Sequence, residues 1–142
     1  MHLLKCILYP AGLCALAANI VRKYHYVNQP KTWAEAQSYC REKFTDLATV
    51  DNQDDNDRLQ SILEASAWIG LYDDRQLWNW SLGNEDFKNE FSNWAASQPN
   101  NRHSKDDCAE MNIGGLWYDV PCSMTFAAVC YHGKKHSTTV EN

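Results

Sequence analysis

The side chains here whose types and spacing could do chemistry are six cysteines, scattered carboxylates and one loop histidine. Cys40, Cys108, Cys122 and Cys130 stand far apart, without the close Cys-x-x-Cys or Cys/His pairs that zinc would need. Carboxylates recur at alternating positions over residues 51–57, as in an EF-hand loop. Asn56, however, sits where that loop needs Gly, and Ile62 sits where it needs a bidentate Glu. The segment therefore reads as a solvated helix start, its acids favoured by the positive end of the helix. Carboxylates near Asp106 suggest a glycosidase pair only if two carboxyls face one bond. His103 has no evident nucleophile partner, and the other His residues lie near the ends of the chain. Binding without catalysis is the expectation. Asn79-Trp80-Ser81 is a glycosylation sequon, but it falls in a predicted strand, where Asn79 would have to face solvent.

The cysteine count depends on the first 17 residues. Lys5, an apolar run from Cys6 to Leu16 and the small residues Ala15 and Ala17 read as a signal peptide cleaved near Ala17/Ala18. The run is too short for a membrane span, which takes roughly 20 apolar residues, and Pro10 and Gly12 interrupt it. Cleavage removes Cys6 and Cys14. Four cysteines in a secreted, extracellular chain then read as two disulfides, with three pairings open. Cleavage also removes Lys5 from the 13 basic side chains and none of the 18 acidic ones, taking the net charge from −5 to −6. That balance argues against nucleic acid, because phosphate binding needs a basic face.

The elements that must position these groups fit one domain over residues 24–132, followed by a polar tail over 133–142. Tyr24, His25, Tyr26 and Val27 predict a short strand, ended by Asn28-Gln29-Pro30. Thr32 and Glu35 form a capping box, and Trp33, Ala36, Tyr39 and Cys40 follow at helical spacing, so Cys40 faces the core. A second helix begins in the acidic segment, with Leu59, Ile62 and Leu63 as its buried stripe. Beyond Ala67 the pattern changes to short strands at 68–71, 77–81, 109–113, 116–120 and 126–131, with Gly114-Gly115 as a turn. Between Ser81 and Cys108 lies a long irregular segment that Phe87, Phe91 and Trp94 would anchor.

Trp68-Ile69-Gly70-Leu71, Gln98-Pro99-Asn100, Cys108, Gly115-Leu116-Trp117-Tyr118-Asp119 and Cys122 through Cys130, in that order, resemble the C-type lectin-like domain in its short form. The resemblance implies an α+β fold of two helices, small antiparallel sheets and a long loop region, with disulfides Cys40–Cys130 and Cys108–Cys122. Trp68, Trp78, Trp80 and Trp117 are read as structural residues that build the core. The resemblance also implies a calcium ion held by Gln98, Asn100, Asp106 and Asp119, whose shell two sugar hydroxyls complete. A second calcium position would draw on Asn101, Asp106, Asp107 and Asp73 or Asp74.

Two departures shape the functional expectation. Gln98-Pro99-Asn100 mixes the family's mannose-type and galactose-type triplets, so sugar preference does not carry over. Tyr118 stands where the family has Asn, and a phenol is a poor substitute for an amide oxygen. The expectation is a secreted carbohydrate-binding lectin for glycans or glycoproteins, weakly calcium-dependent through the loop around Pro99. The alternative is a calcium-independent module that binds protein or another surface. Homo-oligomerisation stays open.

Overall fold

The computed structural model describes residues 5–8, 14–17, 22–74, 77–84, 87, 91–101 and 107–133. Strands β1 (Lys5–Leu8) and β2 (Cys14–Ala17) pair antiparallel as a small sheet of their own. Ala17, on one side of the expected cleavage point, ends β2, whereas Ala18 and the tail beyond Gly133 lie outside the described residues.

The main sheet has seven strands. Its path runs β3 (Lys23–Lys31), β9 (Phe126–His132), β5 (Ala67–Asp74), β7 (Asp107–Met111) and β8 (Trp117–Pro121). The short β4 (Asp46–Leu47) joins β9, and β6 (Leu77–Trp80) joins β5. All ladders but one are antiparallel; β5 runs parallel to β9 through Ala67 and Trp68. β5 is central, and Ala67 through Leu71 are all buried. Its side chains alternate between two apolar layers, as a pleated strand with both faces covered must. Ala67, Ile69 and Leu71 join Trp80, Met111 and Trp117 on one side, while Trp68 joins Trp33, Cys40 and Cys130 on the other.

β3 corrects one expectation. It does not end at Asn28-Gln29-Pro30 but continues to Lys31, opposite Phe126, after an irregularity beyond Val27. β3 lies at the sheet edge, the place where a proline's missing donor is tolerated.

Helix α1 (Trp33–Lys43) starts at the capping box: Glu35 donates its amide to the Thr32 hydroxyl, and the Glu35 carboxylate accepts from the Thr32 amide at 2.9 Å. Such a cap stabilises by about 1 kcal/mol. Trp33, Ala36 and Cys40 form the buried stripe. Cys40–Cys130 binds α1 to β9, and Cys108–Cys122 ties β7 to the turn after β8. At sequence separations of 90 and 14, the two closures restrict the unfolded chain by about 4.6 and 3 kcal/mol in the loop-entropy model.

Helix α2 (Gln53–Ser61) corrects the reading of the acidic segment as a solvated helix start. Asp51, Asp54 and Asp57 are exposed, but Asp55 and Asn56 are buried. Helical rotation carries 55, 56 and 59 to the inner side, and Leu59 is fully buried there. Asp55 is tolerated because Arg22 and Arg58 both pair with it and the Asp51 amide donates to it at 3.1 Å. The removal of charge from water is offset by several charge-assisted bonds. Leu63 and Ile62, which caps α2, pack against the core from partly buried positions.

Asn79 overturns the sequon reading. Only 7 % of it is exposed, and its amide donates to the Leu77 carbonyl at 3.0 Å. The side chain does not face solvent, as attachment of a glycan requires.

Candidate functional site

Edge strand β8 and the loop over residues 93–101 form the site together. Trp117 holds the start of the loop. Its amide donates to the Asn93 carbonyl and its carbonyl accepts from the Ala95 amide, both at 3.0 Å. Trp94 thereby forms a parallel bridge with Trp117. The Trp117 ring is fully buried, and Trp80, Phe91 and Trp94 pack on it edge-on at 5.6–6.0 Å. Its indole N–H donates to Asn56 Oδ1 at 2.9 Å, and Asn56 Nδ2 donates to the Gly115 carbonyl at 3.1 Å. Asn93 donates to that same carbonyl. Gly115 has φ 82°, the left-handed region that favours glycine.

Two residues farther along β8, Asp119 holds the end of the loop. One carboxylate oxygen accepts from the Asn100 amide at 3.1 Å and the other from the Asn101 amide at 2.6 Å. Gln98 Oε1 faces the Asp119 amide at 3.4 Å. Between these holds the Gln98 amide donates to the Ala95 carbonyl at 3.0 Å, and the Gln98-Pro99 peptide is cis. Ser97 and Asn101 take positive φ values of 65° and 52°. Asp119 is buried, whereas Asn100 and Asn101 are exposed.

The structure thus brings together Gln98, Asn100 and Asp119 of the four expected ligands; Asp106 and His103 lie outside the described residues. The ladder pairs Asp119 with Ala109 and Tyr118 with Glu110. Successive strand side chains point to opposite faces, so Tyr118 points away from the face that carries Asp119. For the second calcium position, Asp107 is buried opposite Pro121, and Asp74 lies exposed at the end of β5.

Calcium wants six to eight hard oxygens. Gln98, Asn100 and Asp119 are of the right chemical type, and a carboxylate that accepts one bond per oxygen keeps lone pairs for a cation. Among the described residues no three His, Cys, Asp or Glu side chains converge as a metal centre. Among the described residues the donor set therefore fits a hard cation in kind.

Glu110 sits behind the strand. It is buried, its Oε2 makes no hydrogen bond, and burial raises its pKa, opposed in part by a bond with Ser66. Sequence reasoning placed Trp117 in the core but missed that Asn56 and Asn93 secure it. Asn56 accepts from Trp117 across 61 positions and the Asn93 side chain donates to the Gly115 carbonyl across 22, and no local pattern announces either contact.

Residues 29–132 match the family described as Lectin C-type domain. L-selectin of Bos taurus is 37% identical over 116 residues, covering 76% of this chain and 31% of its own length. The chain thus spans 31% of the length of the L-selectins it matches and 19–24% of that of the E-selectins. Among solved structures, the carbohydrate-recognition domain of the mouse scavenger receptor C-type lectin aligns at TM-score 0.70 and 24% identity, covering 80% of this chain and 92% of that one. A calcium-independent type II antifreeze protein aligns equally well, at TM-score 0.70 and 22% identity over 82% and 92% of the two chains.

Proposed function

Because the chain belongs to the C-type lectin domain family, we propose that it is a secreted glycan-binding module whose contact surface is the loop around Pro99. The observation that carries this reading is the convergence of Gln98, Asn100 and Asn101 on Asp119. It gathers the exposed residues Asn100 and Asn101 and the half-buried Gln98 around a carboxylate, and amide and carboxylate side chains are the donors and acceptors that neighbouring sugar hydroxyls require. Binding makes and breaks no covalent bond, so no enzymatic role is proposed.

Calcium would be held by Gln98, Asn100 and Asp119, with Asp106 as the further carboxylate, and would supply open coordination positions to sugar hydroxyls. Its dependence is weak in this reading, because Tyr118 points to the other face and contributes no oxygen. The same observation favours a second reading, a calcium-independent module that recognises a protein or another surface.

The test is a glycan array probed with the protein recovered from the medium of expressing cells, in calcium and in chelator. Glycan binding that weakens in chelator supports the first reading. Binding of a protein partner unchanged by chelator, with no glycan bound, supports the second. Retention of the protein inside the cells would remove secretion from both.

A further inference from the structure

We propose that Asp119 is a positioning residue that holds the Pro99 loop in its binding shape without a cation. This rests on the reading above only in taking that loop as the contact surface.

The buried Asp119 carboxylate accepts the amides of two consecutive residues, one on each oxygen. Consecutive amides that end in a left-handed residue, here Asn101 at φ 52°, form a concave nest for an anion. Asp119 is the anion in that nest, supplied by the protein itself. Its bonds are charge-assisted, roughly twice as strong as neutral ones. The other end of the loop is fixed independently, by the backbone bonds of Asn93 and Ala95 to Trp117. The two holds sit two residues apart on one strand, about 7 Å along it. The segment between them must arch outward, and both ends of the arch are tied by protein groups alone. A cation using the remaining lone pairs would join a loop already formed.

Site-resolved amide hydrogen exchange on the full chain tests this in chelator and in calcium. Wild type in chelator should show the Asn100 and Asn101 amides slowed at least about tenfold relative to an unstructured chain, with little change when calcium is added. Asp119→Asn offers one acceptor oxygen in place of two. It should lose protection at Asn100 and Asn101 while the amides of β5 and β7 keep theirs. A role in general stability would instead lower protection throughout. Unstructured exchange at Asn100 and Asn101 in wild-type chelator samples, slowed only by calcium, would overturn the proposal. So would an Asp119→Asn protein that keeps both amides protected. If the variant does not fold, the wild-type comparison still decides. A failed glycan screen leaves this outcome unaffected, so the two proposals stand or fall separately.

Discussion

Asn56→Ala should cost about 2–4 kcal/mol of folding stability, although the residue lies in a segment that reads as polar surface. The figure comes from two bonds. The Trp117 indole N–H is fully enclosed and donates to Asn56 Oδ1; a buried donor left without a partner costs about 1–3 kcal/mol. The second bond, from Asn56 to the Gly115 carbonyl, costs about 1 kcal/mol, because that carbonyl keeps Asn93 as a donor. Asn56→Asp separates the two. It keeps the acceptor for Trp117 but turns a carboxylate toward a carbonyl in a buried site. Burial would raise the pKa of that carboxyl above its unfolded value. The variant should therefore recover stability in acid, where the group is protonated, and lose it as pH rises through the raised value. Urea unfolding at several pH values, with tryptophan emission as the probe, measures both variants. An unchanged m-value would confirm that the midpoint shift reports stability. A loss below about 1 kcal/mol for Asn56→Ala would refute the reasoning, since the indole must then have found another acceptor.

Two further substitutions probe the support of the site. Glu110 has a carboxyl pKa raised by burial above the ordinary 4.5, so its contribution is most favourable below that value and is lost as pH rises through the raised one. Glu110→Gln should then melt at a higher temperature than wild type at pH 7 and converge with it below pH 4.5, in calorimetric scans across pH. A constant difference at every pH would show that ionisation is not the cause. Gly70→Ala would bring its Cβ to 2.9 Å from the Ala48 carbonyl oxygen and 3.3 Å from that of Leu47, both backbone atoms. A loss of about 1–3 kcal/mol is expected from such overpacking, read as a fall in the urea midpoint.

The sequence made legible what depends on short-range pattern. Thr32 and Glu35 marked the start of α1, the spacing of Trp33, Ala36 and Cys40 marked its inner face, the apolar run at 68–71 marked β5, and alternation marked β6. The resemblance supplied the disulfide pairing and the fold, and both are as it implied. Features that depend on distant partners were not legible. Asp55 is buried because Arg22, 33 residues away, comes to meet it. β3 runs on through Pro30 because its place at the edge leaves the missing donor harmless, and edge position is a property of the whole sheet. At the site, the residues Gln98, Asn100 and Asp119 came from the resemblance. The backbone bonds that Asp119 makes to the loop came from the structure alone, since side-chain types say nothing about which amides converge.

The pairing of β3 with β9 sets Lys23 opposite His132, so the polypeptide enters and leaves the domain at one spot on the sheet edge. Cys40–Cys130 fastens the same region from inside. A domain built this way can hang as a pendant from any neighbour. A tether, label or additional module joined before Lys23 or after His132 is attached at nearly the same point in space. It pulls on a doorway that a disulfide already holds shut, and not across the fold. A domain tethered directly at Lys23 should therefore present the same aspect to a ligand in solution as one tethered directly at His132.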